Sequence, residues 1–179
     1  QTSTAVGTLT DPGAVTRSGA RPGDALCVTG EWGRSAAALR LFKRDDDEAV
    51  ERANDLFRFT PRVADGLALA GRATAMMDSS DGLARSLHQL AAASDCGFAV
   101  EWDRLPVDRA VDAVADDDAA RRELSTFFGE DFELVFTGPR AAVESTRGAL
   151  GAPITRIGRV TDDGVLADGD PLPDRGYSH

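Results

Sequence analysis

Apolar and polar positions along this chain follow two periodic patterns, which predict a mixture of strands and helices. Short apolar runs and strict alternation indicate strands, expected at residues 5–9, 25–29, 73–77, 98–102, 132–137, 154–160 and 165–167. Apolar positions three or four apart indicate helices, expected at residues 35–42, 63–72, 82–94, 105–115, 119–126 and 139–150, with another starting at the acidic run 45–48. Because the two kinds of element do not alternate strictly, the sequence predicts an α+β fold: a three-layer arrangement with a mixed sheet and helices packed on its faces.

Turn-forming residues indicate where these elements end. Gly97 predicts the stop after the helix at 82–94, and Asp162-Asp163-Gly164 predicts a hairpin turn between strands 154–160 and 165–167. The tail 169–179 is polar and predicts a loop. The length of 179 residues suits one domain, or one domain with part of a second. Since the first residue is Gln1 and not Met, we expect a fragment or a processed chain.

The charge balance excludes one class of partner and indicates an unusual environment. Thirty acidic residues stand against 20 basic ones, and an acidic chain lacks the basic surface that nucleic-acid binding requires. Lys43 is the only lysine, and 22 aspartates outnumber 8 glutamates, which is typical of proteins adapted to high salt. A coding sequence rich in G and C is the alternative source of arginine in place of lysine.

The remaining composition predicts a cytoplasmic protein that does not enter a membrane. No apolar run approaches the roughly 18 residues of a membrane-spanning helix. Cys27 and Cys96 are far apart and lack metal-binding or redox spacing, so we expect two reduced thiols in a reducing compartment.

The most informative motif is the run at residues 77–83, Met-Asp-Ser-Ser-Asp-Gly-Leu. Asp78 and Asp81 lie where a predicted strand gives way to a predicted helix, with Ser79 and Ser80 between them. Mg²⁺ favours one or two carboxylates together with water and phosphate oxygens, and a helix amino terminus binds phosphate. The motif therefore predicts metal–nucleotide chemistry, although Asp and Ser are also ordinary helix-capping residues.

Two further segments carry candidate chemistry. Glu130 and Asp131 precede the strand at 132–137 and are expected in a loop within reach of a substrate; a polar turn before a buried strand is the alternative. Arg17 lies between two hydroxyl residues before Gly19, an arrangement suited to gripping a phosphate, or an ordinary surface arginine. His88 has no partner residues that complete a metal pattern, so we expect a structural role for it.

Taken in order, these segments resemble the thiamine-monophosphate kinases, a family in the aminoimidazole-ribonucleotide-synthetase-like superfamily. Residues 77–83 are similar to its D-x-S-D-G-L signature, and residues 129–134 to its G-G-E-D-[YF]-E-L motif. The likeness continues at residues 15–24, 28–30, 33–37, 93–97, 105–106, 157–160 and 176–177. It implies a fold like the carboxy-terminal domain of aminoimidazole ribonucleotide synthetase.

The resemblance also implies an activity. The family transfers the γ-phosphoryl group of ATP to thiamine monophosphate by direct in-line attack, with several Mg²⁺ ions and no phosphoenzyme. Carried over by position, it assigns a ligand to six residues: Mg²⁺ for Asp78 and Asp81, ATP for Arg17 and Ser80, and the thiamine substrate for Glu130 and Tyr177.

The chain departs from the family pattern in two ways. The amino-terminal domain, with further Mg²⁺ ligands and the main dimer contacts, is almost wholly absent. We expect residues 1–16 to be its last strand and exit, and residues 17–179 to be the carboxy-terminal domain, inactive alone and dimeric in the whole protein. Phe128 occupies the position of the first glycine of G-G-E-D, and its bulk is expected to reshape the loop that bears Glu130.

Two other functions stay open at this point. One is a related ATP-dependent synthetase of the purine pathway, which the Gly-Glu-Asp-Phe-Glu-Leu motif disfavours. The other is a non-catalytic module that binds a nucleotide or thiamine, which the presence of both Asp78 and Asp81 disfavours.

Overall fold

A computed structural model describes residues 4, 6–9, 11–44, 46–146 and 148–177. In this part of the chain the strands are β1 (Ala25–Thr29), β2 (Ala75–Asp78), β3 (Gly97–Val100), β4 (Leu134–Gly138), β5 (Ile154–Thr161), β6 (Val165–Ala167) and β7 (Asp170–Pro171). The α-helices are α1 (Arg34–Phe42), α2 (Asp47–Phe57), α3 (Val63–Leu69), α4 (Leu83–Ser94), α5 (Arg109–Asp112), α6 (Asp118–Thr126) and α7 (Arg140–Glu144), with a 3-10 helix at Trp102–Arg104.

The strands form one mixed sheet in the order β2-β4-β1-β5-β3-β6-β7. Neighbouring strands are antiparallel except β3 and β6, which run parallel. β1 lies inside the sheet between β4 and β5 and is buried along its whole length. That burial explains why its sequence is a nearly continuous apolar run. The prediction of a mixed sheet is confirmed.

Helices cover both faces of this sheet. Successive residues of a strand point to opposite faces, and in β1 Leu26 and Val28 belong to the core that α4 covers. Ala25 and Cys27 belong to the core on the other face, which α3 and α7 cover. The other four helices pack mainly on one another. The predicted layers of helix, sheet and helix are therefore confirmed.

The predicted hairpin between β5 and β6 is wrong, because β3 lies between these two strands in the sheet. The turn at residues 162–164 instead crosses the end of β3, where the Phe98 N–H donates to the Gly164 carbonyl at 2.7 Å. Gly97 is likewise not the helix stop, since it is the first residue of β3. α4 ends at Ser94, and the capping residue Asp95 takes a left-handed conformation with φ of 53°. Both errors arise from a strand pairing between distant segments.

The predicted helix at 105–115 is reduced to the single turn of α5. Its first residues stay extended because they pair with Trp32, which donates to the Pro106 carbonyl at 2.8 Å and accepts from the Asp108 N–H at 2.9 Å. The Asp108 side chain then accepts from the Ala110 N–H at 2.7 Å and starts the helix. Tertiary pairing has overridden the local helical pattern here.

Other predicted boundaries differ by less. α3 ends at Leu69 and α7 at Glu144, both before the predicted ends, and β3 ends at Val100. Residues 6–9 have no regular secondary structure, whereas residue 5 of that predicted strand lies outside the described residues, as do residues 45, 178 and 179. The short strand β7 lies in the segment predicted as a loop.

β2 is the outermost strand at one side of the sheet. Its Met76 N–H donates to the Thr16 carbonyl at 2.9 Å, so the segment before β1 lies against this edge. Cys27 and Cys96 are both buried and form no disulfide with each other, as predicted. His88 Nε2 lies 2.8 Å from the Leu172 carbonyl oxygen, which agrees with its predicted structural role. No helix among the described residues has the length and apolar character needed to span a bilayer.

Candidate functional site

The two acidic loops predicted from the sequence lie against each other. Beyond the end of the β2–β4 pairing, the Ser79 N–H donates to the Glu133 carbonyl at 2.9 Å, and the Phe132 N–H donates to the Ser79 carbonyl at 3.2 Å. The Glu130 N–H then donates to the Ser80 carbonyl at 2.8 Å. These hydrogen bonds fix Ser80 and Glu130 as neighbours.

Gly129 permits this close approach. A Cβ atom at that position would lie 2.0 Å from the Ser80 carbonyl oxygen, well inside van der Waals contact. Any side chain at residue 129 would therefore push the two loops apart, so this glycine of the motif has a steric reason to be glycine.

The end of the chain adds a third segment to the same place. The Tyr177 N–H donates to the Asp81 carbonyl at 3.0 Å. The Tyr177 ring packs on Phe128, with ring centroids 5.4 Å apart and planes inclined by 54°. The residue that departs from the family pattern therefore contacts the predicted substrate-binding tyrosine.

Five of the six predicted site residues thus meet at the amino terminus of α4: Asp78, Ser80, Asp81, Glu130 and Tyr177. We call this set the loop cluster. Asp78 and Glu130 are exposed, Ser80 and Asp81 are half-buried, and Tyr177 is 41% exposed. Ser79 is buried and accepts a hydrogen bond from Ser86 Oγ at 3.1 Å, so its role is structural.

The structure does not bring Arg17 to the loop cluster. Its carbonyl accepts from Ser94 Oγ at 3.1 Å, which places it at the last residue of α4. At about 1.5 Å per residue, a helix of this length separates its two ends by roughly 17 Å. Arg17 is exposed, and its expected contact with ATP stays a prediction.

The amino terminus of α4 lies within the loop cluster. Its capping residue is Gly82, which has no side chain. The capping position itself is therefore not occupied by any of the acids and serines of residues 78–81. Backbone N–H groups and the helix dipole both favour a phosphate at such a helix end.

The same segment offers oxygen ligands of the kind that Mg²⁺ prefers. Asp78 ends β2, and Asp81 immediately precedes the α4 capping residue. No group of three or more His, Cys, Asp or Glu side chains in the described part of the chain is arranged to hold a metal. Two carboxylates suit a Mg²⁺ ion that completes its shell with water and phosphate oxygens.

Asp131 does not face the loop cluster, which corrects the expectation that both acids of this loop reach a substrate. Its carboxylate is buried and accepts from the Gly33 N–H at 2.8 Å and the Ser35 N–H at 3.0 Å, at the amino terminus of α1. Burial raises its pKa from 3.8 to about 6, although the backbone hydrogen bonds act in the opposite direction. Asp131 therefore holds α1 against the loop that carries Glu130.

Sequence reasoning missed a buried ion pair behind the loop cluster. Arg62 donates two hydrogen bonds to the Glu133 carboxylate, at 2.6 and 2.8 Å, and Thr29 Oγ1 donates a third at 2.6 Å. The hydrogen bond to Glu133 raises the pKa of Arg62 despite its partial burial. A glutamate at the start of a buried strand was the available signal, because such a charge requires a partner.

This ion pair places an apolar pocket beside Asp78. The pair holds the segment before α3 against β4, and the Phe59 and Phe132 rings stack with centroids 4.6 Å apart. The pocket has a volume of about 320 Å³, and Pro61, Val63 and Leu134 add to its apolar lining.

Comparison with known proteins agrees with this arrangement. A match to the family described as "AIR synthase related protein, C-terminal domain" covers residues 21–168. The chain belongs to this AIR synthase related family. The recognition from sequence motifs and the predicted fold class are both confirmed.

Individual relatives of this AIR synthase related chain carry a more specific name. It is 58% identical over 167 residues to the thiamine-monophosphate kinase of Halobacterium salinarum, covering 92% of this chain and 56% of the relative. The thiamine-monophosphate kinase structure from Stenotrophomonas maltophilia K279a has a TM-score of 0.76 at 36% identity, covering 87% of this chain and 53% of that one. The structure of AaThiL complexed with AMPPCP and TMP has a TM-score of 0.80 at 29% identity, covering 92% and 54%. The chain therefore spans about half the length of the proteins it matches.

Proposed function

We propose that this chain is the carboxy-terminal part of a thiamine-monophosphate kinase, which transfers the γ-phosphoryl group of ATP to thiamine monophosphate and yields thiamine diphosphate. The observation that carries the proposal is the loop cluster, where the predicted metal, nucleotide and substrate residues meet at the amino terminus of α4. The relatives named thiamine-monophosphate kinase, and the solved complex with AMPPCP and TMP, support this choice of substrates.

On this proposal the nucleotide phosphates lie at the start of α4. The α4 N–H groups and the Ser80 hydroxyl donate to phosphate oxygens, while Asp78 and Asp81 are placed to hold Mg²⁺. The metal, when bound, neutralises phosphate charge, which is the main requirement of phosphoryl transfer. Arg17 stays in the proposal as an ATP contact, although it lies at the other end of α4.

Glu130 and Tyr177 provide the binding side for the acceptor. Thiamine carries a permanently cationic thiazolium ring, which a carboxylate attracts and an aromatic face binds through a cation–π interaction. Glu130 is exposed beside Ser80, and Tyr177 is tied to Asp81, so both lie within one short loop region next to the proposed phosphate position.

The wider proposal concerns the whole protein. Residues 1–16 belong to the exit of an amino-terminal ATP-binding domain and residues 17–179 to the carboxy-terminal domain, so the active site is composite and this chain alone is inactive. The family match beginning at residue 21 supports the boundary. We further propose a homodimer, several Mg²⁺ ions and a salt-rich cytoplasm; the excess of aspartate over glutamate and a relative from Halobacterium salinarum support the last of these.

The test is product formation by the whole polypeptide that contains this chain, with the 179-residue chain measured alongside. Mg-ATP and thiamine monophosphate are supplied in molar-range KCl, and thiamine diphosphate is measured by chromatography. We expect product from the whole polypeptide and none from this chain alone. A folded whole polypeptide that binds ATP and yields no thiamine diphosphate would overturn the proposed activity.

A matched pair of variants tests the site. Asp81→Asn should abolish most of the activity and raise the Mg²⁺ concentration needed for half-maximal rate. Asp162→Asn removes an exposed aspartate from the turn after β5 and should leave both quantities unchanged. Equal effects of the two substitutions would show that net charge, not a metal site, controls the rate.

A further inference from the structure

Tyr177 lies at the end of an irregular segment whose position depends on side-chain contacts. Residues 172–177, which we call the strap, follow β7 and have no regular secondary structure. The strap crosses α4, where Asp174 pairs with Arg85 at 3.0 Å. The Tyr177 N–H donates to the Asp81 carbonyl at 3.0 Å, and side-chain contacts of the strap add further anchors near the Tyr177 ring.

Arg175 is the anchor with the most contacts to side chains outside the strap. Its Nη1 donates to Glu123 Oε1 at 2.7 Å, and its Nη2 bonds the second carboxylate oxygen of the same residue. The guanidinium also lies over the Phe127 ring, with Cζ 3.8 Å from the ring centroid. An exposed ion pair alone contributes little and is screened by salt. The two-pronged geometry and the aromatic stacking distinguish Arg175 from the other surface arginines.

Two consecutive aromatic residues receive alternate residues of the strap. Phe127 contacts Arg175, and Phe128 contacts Tyr177. Between them, a Cβ atom at Gly176 would lie 2.2 Å from the Asp81 carbonyl oxygen, so the strap lies directly on the loop cluster there. The two phenylalanines come just before Gly129 and Glu130. The segment 127–130 therefore carries Glu130 and also supports Tyr177 through Phe128, and these are the two proposed contacts to the acceptor.

We propose that Arg175 is a positioning residue: by fixing the strap on Glu123 and Phe127, it holds the Tyr177 ring against Phe128 beside Glu130 and so sets the affinity for the cationic acceptor. The inference rests on the proposed function for its kinetic part. Its structural part, the dependence of the Tyr177 ring on Arg175, stands on the contacts alone.

The experiment compares Arg175→Met and Arg175→Lys in the whole polypeptide. Arg175→Met should raise KM for thiamine monophosphate about five-fold, the combined effect of an exposed ion pair and one cation–π contact. The kcat and the KM for ATP should change less than about two-fold, an order-of-magnitude bound for residues that touch neither the metal nor the nucleotide. Arg175→Lys keeps the charge without the planar fork and should give an intermediate KM. Arg140→Met, which removes the exposed ion pair with Glu144 on α7, is the matched control and should change nothing.

A second readout is independent of activity. Fluorotyrosine is incorporated and its fluorine NMR signal at position 177 is assigned with Tyr177→Phe. Arg175→Met should move this signal toward that of unfolded protein and narrow it, whereas Arg140→Met should not. An unchanged signal together with an unchanged KM, or equal rises in KM for both substrates, would overturn the proposal. If the unsubstituted protein yields no thiamine diphosphate, the proposed function fails, and the NMR signal still decides whether Arg175 positions Tyr177.

Discussion

Asp131→Asn tests whether burial of the Asp131 carboxylate next to the site lowers the free energy of unfolding when that carboxylate is ionised. The Asp131 carboxylate is buried at the start of α1, and its pKa is raised from 3.8 to about 6. The folded state therefore binds this proton more tightly than the unfolded state does. Stability contributed by this group is present below pH 3.8 and is lost as the pH rises through about 6.

The size of the effect follows from the change in pKa. At about 1.4 kcal/mol per pKa unit, the rise from 3.8 to about 6 corresponds to about 3 kcal/mol. Asparagine cannot titrate, and it replaces one of the two carboxylate oxygens with an NH₂ group, whereas Gly33 and Ser35 donate to different oxygens of Asp131. The variant therefore carries a penalty that does not vary with pH. The difference in free energy of unfolding, wild type minus Asp131→Asn, should therefore fall by about 3 kcal/mol in total, of which about 2 kcal/mol falls between pH 4 and pH 7.

The measurement is guanidinium unfolding of both proteins at closely spaced pH values from 4 to 7, at constant ionic strength. Subtracting the two curves removes the titration of all other carboxyl groups. Asp117→Asn is the control, because Asp117 also accepts from a helix N–H but is exposed. A difference that is flat or rises with pH would refute the reasoning, and an equal trend in the control would show that burial is not its cause.

Three further outcomes are expected. Arg62→Met leaves Glu133 buried without its cation and should lower the free energy of unfolding, measured by urea titration, by about 3–5 kcal/mol. Arg140→Met breaks an exposed ion pair and should lower it by less than about 1 kcal/mol. Similar losses in the two variants would contradict the importance of burial. Leu87→Ala, at a fully buried position of α4, should cost about 2–5 kcal/mol in the same titration. Chelation of Mg²⁺ should stop product formation in the whole polypeptide and leave the Tm of this chain unchanged, because neither of the proposed metal ligands, Asp78 and Asp81, is buried; a large fall in Tm would indicate a structural metal.

Local patterns predict much of this fold because burial imposes them. The bounds of β1 are those predicted, since its five positions are all buried between two neighbouring strands. The helix at 82–94 is predicted to within a residue because α4 buries one apolar face on the sheet. The order of the sheet is not a local property, and the insertion of β3 between β5 and β6 leaves no periodic signal.

In the candidate site, too, local sequence predicts some placements and not others. Asp78, Ser80 and Asp81 lie within four consecutive positions of the sequence, so their joint placement follows from one strand end and one helix start. The direction of each acid in the second loop does not follow from polarity. Glu130 and Phe132 take left-handed conformations, with φ of 67° and 52°, and the chain between them turns the Asp131 side chain inward. Such conformations are rare outside glycine and asparagine, so composition gives no warning of them.

The contact between Thr16 and β2 has a consequence for how this polypeptide can be divided. The outermost strand of a sheet exposes unsatisfied N–H and C=O groups that can recruit another chain. Here the segment before β1 occupies one such group, at Met76, two residues before Asp78. A shorter polypeptide that begins after Gly19 would uncover this strand. It would be prone to self-association through the strand that ends at Asp78, one of the proposed Mg²⁺ ligands.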